Sequence, residues 1–236
     1  DDGAIRTIRM NRPEKKNALT FPMYDAMAEA IEGAGARDDV ACLLIAGHAS
    51  GFCAGNDIVD FVEMTKTGAL GAPILRFLHA LKRSEKPLSA AVAGRAVGVG
   101  TTMLRQGDHG GAAEDALLST PFVALGLVPE AGSSLIAPRL MGHARAFELL
   151  VMGRPLTAAA AKQAGLVNVV VPAAELESAA LAAARIIAAL PPHAVAASRR
   201  LMRGSTAQID GQIDAEADAF RKRLASPEAK AAFAAF

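Results

Sequence analysis

Twice in this chain an apolar run of strand length empties into a glycine-rich loop that opens a helix. Val40 to Ala46 leads into Gly47-His48-Ala49-Ser50-Gly51-Phe52-Cys53-Ala54-Gly55-Asn56-Asp57 and an Ile58-led helix. Leu88 to Val92 leads into Gly94-Arg95-Ala96-Val97-Gly98-Val99-Gly100 and a helix from Thr101. A strand with two apolar faces needs cover on both, so repeated strand–loop–helix units predict an α/β core. The flanking sequence continues the pattern. Ala4 to Met10 alternates as a strand, and Thr20 can cap a helix to about Ala34, with Met23, Met27, Ala30 and Ile31 facing inward. Gly71-Ala72-Pro73 opens a helix through Leu81, Ala116 to Ser119 is a short strand, and Val167 to Val171 is the last one. Helices are predicted over Ser133 to Met141, Ala144 to Met152, Thr157 to Gly165 and Ala173 to Leu190, where Pro191-Pro192 ends the run. From Val195 the chain is helical, divided by Gly204 and Pro227. The expected organisation is an α/β core over 1–171 and a C-terminal helical region over 172–236, serving as lid or oligomerisation module.

Composition removes several function classes. Lys+Arg 25 against Asp+Glu 24 leaves a net charge of +1, so neither nucleic acid nor an anionic membrane is expected as partner. Pro87 to Leu104 is long and apolar, but Gly94, Gly98 and Gly100 mark a strand, loop and helix start there. The two cysteines, Cys42 and Cys53, sit among apolar and small residues, which suggests a reduced, cytoplasmic setting. His48, His79, His109, His143 and His193 lack ligand spacing, so no metal site is expected. A dinucleotide fingerprint from Gly98 and Gly100 fails at Met103, and no G-x-S-x-G nucleophile turn occurs.

The chemistry concentrates between Thr120 and Ser134. There Glu130 is the single carboxylate in an apolar run of Pro121, Phe122, Val123, Leu125, Leu127 and Val128. A carboxylate stripped of water has a raised pKa and becomes a base able to take a proton from carbon near neutral pH. The competing reading is a first-turn glutamate favoured by the dipole of the helix that follows. The loops at Ala54-Gly55-Asn56-Asp57 and Gly98-Val99-Gly100 let backbone N–H groups approach a ligand oxygen, so together they can supply two donors to one oxyanion. Taken singly, either loop is also an ordinary tight turn.

These stretches carry a resemblance. Phe52 to Asp57, Lys86 to Gly94 with Gly98-Val99-Gly100, and Thr120 to Gly132 resemble the enoyl-CoA hydratase/isomerase (crotonase) superfamily. Asn11-Arg12-Pro13, Asn17-Ala18-Leu19-Thr20 and Ala164 to Val167 match it as well, so the likeness spans essentially the whole chain. It implies a spiral of ββα units, an acyl-CoA thioester as substrate with coenzyme A as part of it, no separate cofactor, and homotrimers or hexamers. It places the oxyanion donors at the backbone N–H groups of Asn56 and Val99. Substrate contacts fall on Ala54, Gly55, Asp57, Ile58, Gly98 and Phe122. Hydratases of the superfamily hold two glutamates, at the positions of Thr102 and Phe122; both are non-acidic here. Glu130 matches the base of the Δ3,Δ2-enoyl-CoA isomerases, and the implied activity is a 3-enoyl-CoA isomerase with one acid/base. The alternatives are a hydratase, another crotonase-type acyl-CoA enzyme such as a thioesterase, or a catalytically silent scaffold relative. The stretch Arg105-Gln106-Gly107-Asp108-His109-Gly110-Gly111 departs from the family's apolar pattern, and its glycines weaken a strand expected in the core.

Overall fold

The computed structural model describes residues 1–48, 51–67 and 70–234; Ala49 and Ser50 of the first glycine loop lie outside the described residues. In chain order, β1 (Ile5–Arg9), α1 (Phe21–Gly35), β2 (Cys42–Ala46), α2 (Ile58–Thr67), α3 (Ala72–Arg83) and β3 (Leu88–Val92) form the first half of the core. Then come β4 (Arg95–Val97), the short α4 (Val99–Thr102), β5 (His109–Ala113), β6 (Leu117–Ser119), α5 (Ser133–Met141), α6 (His143–Leu150), β7 (Leu156–Thr157), α7 (Ala158–Gln163) and β8 (Val169–Val171). The chain closes with α8 (Leu176–Ala188), α9 (Pro192–Arg203), α10 (Thr206–Leu224) and α11 (Pro227–Ala234).

Five strands make a wholly parallel sheet in the order β1-β2-β3-β5-β8. A small second sheet, β4-β6-β7, pairs β4 with β6 in parallel and β6 with β7 antiparallel. β2 shows why the large sheet needs two layers of cover. Its Leu43 and Ile45 enter the main core beneath α1 and α3, while Cys42, Leu44 and Ala46 face a second cluster under α8. Alternate side chains of one strand thus fill opposite cores, and every residue is buried.

Three expectations change. The loop expected over Gly94 to Gly100 contains β4, whose pairing with β6 depends on residues 117–119 and leaves no period in three residues. Thr20 precedes α1 without a side-chain cap; the Phe21 N–H is taken instead by Asp60 Oδ2 at 2.9 Å. The glycine-bearing segment 109–113 forms β5, between β3 and β8 in the large sheet. Its lack of side chains is put to use: a Cβ on Gly110 would stand 3.3 Å from Val167 Cγ1, so the bare backbone lets neighbouring chain pack closely. Ladder bonds on both edges outweigh the poor propensity.

Candidate active site

The first glycine loop is pinned beside β4. Cys53 N–H donates to Arg95 O at 3.0 Å, and Val97 N–H donates to Cys53 O at 2.8 Å. Buried Asn17 donates from Nδ2 to Gly51 O and Phe52 O at 3.0 and 3.2 Å. The second loop lies directly on the first. A Cβ on Gly100 would stand 2.8 Å from Cys53 Cβ and 2.9 Å from Cys53 O, so only glycine permits this approach.

That contact brings two unused donors into one region. Leu19 accepts from Asp57 N–H and donates to Gly55 O, both at 2.8 Å, which straddles Asn56 and leaves its N–H unpaired among the described residues. Val99 opens α4, where N–H groups have no intrahelical acceptor, and its own has no partner among the described residues. The side chain of Asn56 is anchored separately: its Oδ1 accepts from the buried Tyr24 hydroxyl at 2.6 Å.

Glu130 is buried on the turn entering α5. Desolvation by burial dominates its titration; a hydrogen bond from Thr102 pulls down, Glu216 pushes up and Arg105 pulls down, and the carboxyl settles at about 7. Thr102 Oγ1 donates to Glu130 Oε1. Oε2 accepts no hydrogen bond among the described residues, so one oxygen is held and one is free. Thr102 is the last residue of α4, so its hydroxyl ties the base to the helix that offers the Val99 N–H. Tyr24 and Cys53 both lie close enough to feel the Glu130 charge, and burial raises each of them, Cys53 to about 12.

Beside these groups is an apolar cavity of about 300 Å³. Its walls include Ala54, Gly55, Asn56, Ile58, Gly98 and Phe122, together with Phe61, Pro121, Leu125, Leu127, Phe220 and Phe233. Six residues singled out from the sequence therefore meet on one wall system. Val99 and Glu130 are not among its lining residues; the chain joins them to it, Val99 directly after Gly98 and Glu130 three residues after Leu127. Asp57 is turned to another task. Its Oδ2 pairs with Arg12 Nη1 at 2.5 Å and its Oδ1 accepts from Val59 N–H at 2.9 Å, and these bonds outweigh burial and hold the carboxyl below its ordinary value. A second cavity, of about 320 Å³, shares Ala54 and Val97 with the first and is lined further by Lys16, Gly51, Gly94, Arg95, Asp115 and Leu117. Tyr24, Gln106, Glu216 and Phe220 were not legible as site residues, and Thr102 was marked only as a position lacking an acid. Tyr24, Gln106 and Glu216 bond to loops far from them in sequence and Phe220 reaches the cavity from α10, so nothing local marks them.

Parallel sheet, small companion sheet and paired glycine loops define the crotonase fold, and comparison with solved structures agrees. A Pseudomonas aeruginosa protein, OdaA, superposes with a TM-score of 0.95 at 44% identity, covering 100% of this chain and 96% of that one. An enoyl-CoA hydratase/isomerase from Pseudoalteromonas atlantica T6c does so at 0.93 and 38% identity, covering 99% and 93%. The chain belongs to the enoyl-CoA hydratase/isomerase family, whose model matches residues 1–236. Among curated proteins it is 38% identical to rat enoyl-CoA delta isomerase 2 over 86% of this chain and 53% of that protein. It is 34% identical to the Escherichia coli 1,2-epoxyphenylacetyl-CoA isomerase over 91% of this chain and 84% of that protein. The chain thus spans about half the length of the mammalian delta isomerase 2 relatives it matches.

Proposed function

We propose that the chain is a 3-enoyl-CoA isomerase that moves the double bond to the trans-2 position with Glu130 as its only acid/base. The observation that carries the reading is the buried Glu130 carboxyl, at about 7, with one oxygen held by Thr102 and the other accepting no hydrogen bond among the described residues. The thioester carbonyl accepts from the N–H groups of Asn56 and Val99, which stabilise charge where it develops. Glu130 takes a proton from C2, the electron pair moves into a dienolate held by those donors, and the same carboxyl returns the proton to C4. No atom is gained or lost, so one base serves both steps and no redox or metal chemistry is called for. The acyl chain occupies the apolar cavity, where Phe122 and its neighbours keep water from the intermediate. The coenzyme A portion passes Ala54 and Val97 into the second cavity, whose Lys16 and Arg95 offer positive charge to phosphates. Trimers or trimer pairs in the cytoplasm complete the proposal; Ile186, Leu201 and Met202, exposed on α8 and α9, support self-association.

The test is steady-state turnover of trans-3-hexenoyl-CoA beside hydration of crotonyl-CoA. Hydration needs water oriented and deprotonated by groups that Thr102 and Phe122 do not supply, each worth about 10²–10⁴-fold. Isomerisation should exceed hydration by roughly two orders of magnitude on that scale. Equal rates would overturn the reading.

A further inference from the structure

The turn that carries Glu130 runs against ordinary backbone preference. Ala131 has φ of 63° and Gly132 of 69°, two consecutive left-handed residues, and Ala131 bears a Cβ that disfavours the region. Such a conformation persists where surrounding groups over-determine it. Two buried side chains do so here. Gln106 donates from Nε2 to Ala131 O at 2.7 Å. Glu216, from α10, accepts Gly132 N–H at Oε2 at 2.6 Å and Ser134 N–H at Oε1 at 2.8 Å, and the Ser134 hydroxyl donates to Oε1 as well. One turn earlier on α10, Gln212 Nε2 donates to Ser134 Oγ at 2.9 Å. A helix from the far end of the chain therefore gathers the unpaired donors at the start of α5, two residues after the base.

We propose that Glu216 is a positioning residue for the Glu130 base: it clamps the 130–134 turn and so fixes where the free Glu130 oxygen points. The kinetic part of its test rests on the isomerase reading above; the spectroscopic part does not. Glu130 is faced by Thr102, Arg105, Glu216, Tyr24 and Cys53. Arg105 is buried, its three guanidinium nitrogens have no hydrogen-bond partner among the described residues, and its charge acts on both carboxyls. Glu216 accepts at both oxygens, which an amide cannot do. In Glu216→Gln the amide NH₂ must oppose one donor, and turning it toward Gly132 frees the backbone nearest the base while Ser134 stays held. Glu216→Asp keeps the charge but withdraws the acceptors by one methylene.

The experiment compares wild type, Glu216→Gln and Glu216→Asp for kcat and KM on trans-3-hexenoyl-CoA. It also follows the Glu130 carboxyl by ¹³C NMR pH titration, assigned by its loss in Glu130→Gln. Both Glu216 variants should lose about 10–100-fold in kcat with KM within about threefold, the scale expected when a reacting group is misplaced by up to an ångström. The Glu130 titration should move to lower pH in Glu216→Gln, which removes a neighbouring negative charge, and stay raised in Glu216→Asp. A lowered melting temperature with wild-type kcat and an unmoved titration would mark Glu216 as merely structural and overturn the proposal. If Glu216→Gln fails to fold, wild-type kcat in Glu216→Asp overturns it, and a selective loss in kcat supports it. If wild type does not turn over 3-enoyl-CoA, the isomerase reading falls by itself. The Glu216→Gln spectra then decide: a downward move together with a displaced Gly132 amide signal supports the clamp, and no move, or a move with that signal unaltered, refutes it.

Discussion

Replacing Glu130 by Gln separates two roles of one carboxyl. Gln keeps the length and can still accept from Thr102, but it carries no charge at any pH and takes no proton from carbon. The stability effect follows from the folded carboxyl titrating at about 7 against an ordinary 4.5. Because the folded value is the higher one, the buried group favours its neutral form. Below pH 4.5 the carboxyl is protonated folded and unfolded alike, and the substitution changes little. As pH rises from 4.5 to 7 the unfolded chain ionises first, and stability is lost. Above pH 7 the native state holds a desolvated carboxylate, at a cost of about 2.5 pH units times roughly 1.4 kcal/mol, or on the order of 3 kcal/mol. Glu130→Gln should therefore be more stable than wild type at pH 8, by roughly 5–10 °C in melting temperature for a chain of this size, and no different near pH 4. Turnover should fall about 10³-fold with KM nearly fixed, since the lost interaction belongs to the transition state. Differential scanning calorimetry across pH 4 to 9 and kcat on trans-3-hexenoyl-CoA measure the two arms. A melting difference independent of pH would show that the carboxyl is not desolvated. Turnover within about tenfold of wild type would place the base elsewhere.

Wild-type kcat/KM should fall about tenfold per pH unit below pH 7, because only ionised Glu130 accepts the proton; an acidic limb centred near 4.5 would contradict the burial argument. Asn56→Pro, which deletes the proposed oxyanion donor, should lose on the order of 10²–10³-fold in kcat while folded by circular dichroism, and normal turnover would refute the assignment. Asn56→Ala keeps the N–H but orphans the buried Tyr24 hydroxyl, so it should lose about 1–3 kcal/mol of stability by urea unfolding and far less activity than the proline variant. Gly100→Ala places a methyl within 3 Å of Cys53, and the forced separation of the two loops should lower kcat about 10²-fold; unaltered kinetics would show that the loops need not touch.

Much of this protein was legible before folding. Strand and helix periods, the stop at Pro191-Pro192 and the cap at Thr157, which accepts Ala160 N–H at 3.2 Å, are set within a few residues of themselves. The same holds for the two glycine loops and for Glu130 in its apolar run, because each signal is a run of neighbours whose chemistry is independent of the partner they meet. The absence of acids at Thr102 and Phe122 is also a fact of sequence alone. What only the tertiary structure decided are the encounters. Gly110 and Gly111 became a buried strand because β3 and β8 complete their hydrogen bonds, a context that propensity does not contain. Thr102 became the donor to Glu130, Tyr24 the anchor of Asn56, and Asp57 the partner of Arg12 rather than a wall of the cavity. Glu216 reached the Glu130 turn from 82 to 84 residues away, and Phe220 entered the apolar cavity from the same helix, α10. A side chain's period tells which face it lies on; which distant face it meets is fixed by how helices stack on the sheets, and no local pattern records that distance.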